Sequence, residues 1–282
     1  MKKKFLALTL GSVVLTAGII GGTFAYFNDV ESSNNNNYSA GTLDITSLRN
    51  DLPTVGPMFY TNTTADGLLG TGLWKPGDAH TRGLFMENSG TLNGVLKNIS
   101  AKPEAAANSQ AYADAMEFAK QSVVTISVLE PVSGEGTFDS TTYAEMLKQV
   151  NDLYNEKWDL YWGIEAAKEG NLDLFGSLDL AIKVAQNVAT DMLGEVFTTT
   201  VTDILGNEKQ IQGRVADVIT EKSLEDVVNS GVNVQNLGFT VTPGEDMYFA
   251  YTVKFLNLDP SLNNPLQGKE VKFSFSSEFV QE

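Results

Sequence analysis

The chain has 282 residues, 35 acidic against 19 basic side chains, a net charge of −16, 42% hydrophobic content and no cysteine. The missing cysteines exclude disulfide bracing, thiol catalysis and thiolate metal sites. The acidic balance argues against nucleic acid as a partner, and it makes close self-packing sensitive to salt and divalent ions.

The first 25 residues have the layout of an export signal. Lys2, Lys3 and Lys4 precede an apolar run over Phe5–Ile20, and Thr23-Phe24-Ala25 supplies small residues before a cleavage point between Ala25 and Tyr26. Cleavage there leaves a short aromatic tip, Tyr26-Phe27-Asn28-Asp29-Val30, on a polar, asparagine-rich tether. Residues 26–37 therefore read as an N-terminal arm, too polar to fold alone.

A first strand is predicted over 38–48, with Leu43 and Ile45 on one face. Residues 50–72 are rich in Thr, Gly and Pro and read as loop. The run Leu73-Trp74-Lys75-Pro76-Gly77-Asp78 follows. Its Pro-Gly pair suits the centre of a type II turn, because proline presets φ and glycine accepts a positive φ. Strands are predicted over 82–88 and 93–100, with Ser89-Gly90 turning between them. Helical spacing marks 104–121, 140–168 and 177–193, and a short helix is predicted over 222–229. Between them, 122–130 and 196–204 read as strands.

A second Pro-Gly-acid turn, Pro243-Gly244-Glu245, introduces a strand over 246–257. Phe249, Tyr251, Val253 and Phe255 share one face. Tyr248, Ala250, Thr252 and Lys254 share the other, which is expected to be wet. A last strand over 269–280 sets Val271, Phe273, Phe275 and Phe279 against Lys272, Ser274 and Ser276. The pattern predicts a mainly β framework, residues 38–282, closed into one sandwich from both ends of the chain. A long, largely helical insertion at about 104–235 interrupts it and is expected to be removable without unfolding the sandwich. Trp158, Tyr161 and Trp162 read as core of that insertion, with an exposed patch used in assembly as the alternative.

Chemistry finds little purchase. His80 is the only histidine, which rules out an H-E-x-x-H zinc helix; it is expected in a surface loop after the Pro-Gly-Asp turn. There is no G-x-S-x-G elbow and no phosphate-binding glycine loop. No catalytic or metal-ligating residue is assigned.

The segments GGTFAYFNDVESS, SAGTLDI, LWKPGDAHTRGLFMENSGTLNGVLKNIS and VKFSFSSEFVQ together resemble the TasA/camelysin (CalY) family of secreted biofilm-matrix fibre proteins. The likeness is clearest over 21–102 and 240–281. It implies a β-sandwich of jelly-roll type, release by a dedicated signal peptidase, and a location in the extracellular matrix or at the cell surface. It also implies head-to-tail polymerisation with other copies of the chain, with matrix assembly proteins as further partners. The donated strand carries over as Tyr26, Phe27, Asn28, Asp29 and Val30, and the turn motif as Leu73, Pro76, Gly77 and Asp78. The camelysin branch implies a secreted metallo-endopeptidase as the alternative, with zinc as cofactor only in that case. An adhesin of the cell surface or spore envelope is the third reading.

Overall fold

The computed structural model describes residues 41–49, 58–60, 74–132, 138–168, 177–202, 206 and 208–282. In chain order the elements are β1 (Ile45–Arg49), β2 (Phe59–Tyr60), β3 (Ala79–Asn88), β4 (Gly94–Pro103), α1 (Gln110–Lys120), β5 (Ser122–Pro131), α2 (Ser140–Lys168), α3 (Leu178–Met192), β6 (Val196–Thr202), β7 (Glu208–Ser223), α4 (Leu224–Ser230), β8 (Val232–Asn233), β9 (Thr240–Val241), β10 (Asp246–Phe255), α5 (Pro260–Asn263) and β11 (Lys272–Gln281). Among the described residues the strands form two antiparallel sheets. One has the order β1-β3-β10-β5-β7-β6; the other runs β2-β11-β4-β8, with β9 also against β4.

Strand periodicity builds the layer between the sheets. Leu84 and Met86 of β3, Val124, Ile126 and Val128 of β5, and Phe249, Tyr251, Val253 and Phe255 of β10 face Leu96, Ile99, Phe273 and Phe279 from the second sheet. Each large apolar side chain fully buried in this way contributes about 1.5–3 kcal/mol relative to exposure. The chain is thus a mainly β sandwich with a helical addition, as the alternation predicts.

Serine and aspartate caps set the helix starts. The hydroxyls of Ser109, Ser177 and Ser223 accept the N–H groups of Tyr112, Leu180 and Asp226, and Asp139 Oδ1 accepts that of Thr142. In α2, Tyr143, Met146, Leu147, Val150, Tyr154 and Trp158 form one buried stripe; in α3, Leu180, Ala181, Val184, Ala185, Val188 and Met192 form another. These stripes pack on the second face of the six-stranded sheet. That face of β10 is therefore buried rather than wet: Tyr248, Ala250, Thr252 and Lys254 all lie under the helices. Lys254 and Thr252 look like solvent-facing residues in a sequence, and the alternation cannot show that a third layer covers them.

α2 packs tightly over Gly83 of β3. A Cβ there would stand 2.5 Å from Leu147 Cδ1 and 2.6 Å from the Tyr143 ring. Trp158 is buried and stacks between Tyr154 and Trp162, in keeping with a core role, whereas Leu160 and Ile164 on the same helix are exposed.

Residues 104–235 contain α1 to α4, but they also contain β5, β6 and β7. β5 lies between β10 and β7, so it forms part of the sheet itself. Excising 104–235 would remove half of the six-stranded sheet, which corrects the expectation that the sandwich survives the cut. β7, sixteen residues long, had no counterpart in the sequence reading.

Candidate functional site

Pro76-Gly77-Asp78, three of the turn-motif residues, sits directly before β3 and holds the far end of β10. Gly77 N–H donates to Phe255 O at 2.7 Å, and Phe255 N–H donates to Asp78 O at 2.9 Å. The second Pro-Gly turn does the same in reverse. Gly244 N–H donates to Asn88 O at 2.7 Å, and Asn88 N–H donates to Glu245 O at 3.3 Å. Both glycines take positive φ, 98° and 79°, which their missing Cβ permits. Each central strand is thus introduced by a turn that clasps the end of its neighbour. Leu73 lies outside the described residues.

Asn88 closes the adjoining corner. Fully buried, it donates through Nδ2 to the carbonyls of Leu92 and Val241 and accepts Gly90 N–H at Oδ1. Thr42-Leu43-Asp44 lies across the same turn. Thr42 O accepts from Thr91 and Leu92, and Asp44 O accepts from Ser89. These motif residues therefore build a corner of the sandwich.

His80 is not in a loop. It is the second residue of β3, half-buried, with its ring 4.3 Å from that of Trp74. Its Nε2 is buried and makes no hydrogen bond. Burial holds its pKa below the ordinary value, against the opposing field of Asp78. Lys254 is only 4% exposed and points under α2. Its Nζ donates to Asn155 Oδ1 at 3.4 Å and lies 5.3 Å from the centroid of the Trp158 ring.

Among the described residues the outer edge of β11 is largely uncovered. Among the described residues β2 covers only Lys272 and Phe273, and no strand pairs with the outer side of Ser274–Gln281. Behind that edge Phe275 is half-buried, with its ring 5.7 Å from Phe59 and 4.9 Å from Tyr251. The hydroxyls of Tyr251 and Ser277 are buried against each other there; burial raises the tyrosine pKa, and the Ser277 hydroxyl partly offsets that. The outward face is tied down by the Lys97–Glu278 ion pair at 2.8 Å and a Ser100–Ser276 hydrogen bond at 2.9 Å.

The family model for the camelysin metallo-endopeptidase matches residues 1–185. The chain belongs to this family. It is the TasA/camelysin family that the motifs resemble. No curated protein matches the sequence.

The camelysin description implies a metal. Among the described residues no three His, Cys, Asp or Glu side chains come together to hold an ion. The single histidine faces Trp74, and Asp78, next to it in the turn, uses Oδ2 to accept Lys75 N–H at 2.7 Å. Among the described residues no helix is long and apolar enough to cross a membrane. The cleavage pair Ala25 and Tyr26 and the donor residues Tyr26, Phe27, Asn28, Asp29 and Val30 lie outside the described residues.

Proposed function

We propose that this camelysin-family chain is a secreted structural subunit of extracellular fibres. Signal cleavage at Ala25 frees the arm, and residues Tyr26–Val30 add as a strand to the next subunit. The observation that carries this reading is the outer edge of β11, which no strand among the described residues covers over Ser274–Gln281. An exposed edge strand is a template for another chain, and alternate residues along it aim N–H and C=O groups outward. Each backbone hydrogen bond made there contributes about 0.5–1.5 kcal/mol. The half-buried Phe275 behind the edge favours an added strand that brings an apolar side chain. The edge of β6 is less open, because Gln149 of α2 donates to Thr198 O and Thr199 Oγ1. An arm leaving one copy and an edge receiving it on another form a heterologous contact, which propagates as a filament.

Electron microscopy and N-terminal sequencing of the secreted chain test the reading. Filaments whose subunits begin at Tyr26, and soluble monomers after deletion of 26–37, are expected. Filaments formed in equal yield without the arm would overturn it. The peptidase alternative lacks a donor set among the described residues.

A further inference from the structure

Lys254 is a buried charge with no carboxylate in contact among the described residues. It is buried at the end of β10, yet its Nζ has a single hydrogen-bond acceptor among the described residues, Asn155 Oδ1. An ammonium carries three donors and is costly to bury without a carboxylate in contact. Burial lowers its pKa to about 8, against the opposing fields of Asp159 and Asp78. A group of that pKa is about one-tenth neutral amine at neutral pH.

Asn155 is held ready on the other side. It lies in the middle of α2, and its Nδ2 donates to Asn151 O at 3.0 Å, which fixes the plane of the amide. Oδ1 then points at the lysine, and the amide carbon is the atom bonded to that oxygen. The Trp158 ring walls the pair. Asp159, one helical turn further along α2, and Asp78, in the turn before β3, are the carboxylates whose fields reach the amine.

An amine that is partly neutral, held in contact with a fixed amide beside an aromatic wall, brings together the two reactants of an amide exchange. We propose that Lys254 and Asn155 join in an intramolecular isopeptide bond that ties α2 to β10. The neutral Nζ bonds to Asn155 Cγ, and the Cγ–Nδ2 bond breaks. One Nζ proton goes to the departing nitrogen, which leaves as ammonia. No oxidant or other reactant enters. Holding the two groups in contact replaces a bimolecular encounter with a unimolecular step. The bond would give a cysteine-free chain the covalent brace that a disulfide supplies elsewhere.

Intact mass and tryptic mapping of the purified chain test this, whether or not it forms fibres. The expected mass is lower by one ammonia than the sequence from the measured N-terminus. A branched peptide should join Lys254 to Asn155, with no cleavage after Lys254. Asn155→Asp should lose water instead, and Lys254→Arg should keep the full mass. Full mass in the unmodified chain, with both residues recovered in separate linear peptides, would overturn the proposal even if every variant failed to fold. Ammonia loss confined to a linear peptide would overturn it equally, because that is a cyclised asparagine.

Discussion

The phenol of Tyr143 donates a hydrogen bond to the backbone carbonyl of Phe249, so α2 is bonded to the middle of the strand it covers. The same hydroxyl also reaches Leu84 O, at 3.3 Å on β3. Removing it strips a partner from buried carbonyls while leaving the ring in place. Tyr143→Phe should lower stability by about 1–2 kcal/mol, read as a shift in the urea midpoint without a change in slope.

Gly83→Ala should be the more damaging change. Its new methyl meets Leu147 and Tyr143 well inside contact distance, and both are locked in the α2 stripe. Overpacking of this kind costs about 1–3 kcal/mol. The loss should appear in thermal unfolding, with the Trp158 fluorescence reporting a loosened helix layer.

Acidification should weaken the fold through His80. Its folded pKa is depressed below 6.5, chiefly by burial, so the unfolded chain binds its proton first. The stabilisation is present above 6.5 and is lost as pH falls toward the folded value. His80→Phe keeps a ring against Trp74 and should flatten that part of the profile of urea midpoint against pH. An unchanged profile in the variant would assign the acid sensitivity to other groups.

Proline scanning of β11 should separate folding from assembly. Ser276 and Ser277 are adjacent, so their N–H groups point to opposite sides of the strand. One proline breaks the ladder to β4 and destabilises the monomer. The other removes only an outward donor, and that variant should fold like the parent yet fail to form filaments in electron micrographs. Filaments from both variants would exclude this edge as the acceptor.

Zinc titration followed by calorimetry should reveal no stoichiometric site at His80. His80→Ala should leave the metal content of the purified chain unchanged. A site lost in that variant would mean that residues beyond those described complete a centre around the imidazole.

The strands were legible wherever one face was apolar and the next residue polar. Phe273, Phe275 and Phe279 in β11 and Phe249 to Phe255 in β10 have that pattern, and both strands lie where it predicts. Helix α2 was legible to the residue, because Tyr143, Met146, Leu147, Val150 and Tyr154 keep helical spacing. β7 was not. Its buried residues Ile211 and Val215 are separated by Gly213 and surrounded by Glu208, Lys209, Gln210, Gln212 and Arg214. A strand that is half glycine-thinned and half charged carries little periodic signal. The open edge of β11 was equally invisible, because an unpaired edge is a property of what lies beside a strand. The turn motif was visible as a turn, but its grip on the opposite strand depends on residues more than 150 positions away.

Those two turns act together as a calliper. β3 and β10 are both ten residues long, and each is gripped at its tail by the bend that launches the other. A one-residue insertion in either strand could not be absorbed by sliding, since both jaws would have to open at once. It would also swap the occupants of the two faces, sending Lys254 into the sandwich and Val253 under the helices. Changes in length are therefore confined to the connections outside the jaws, and whatever is grafted there rides on a frame of constant span.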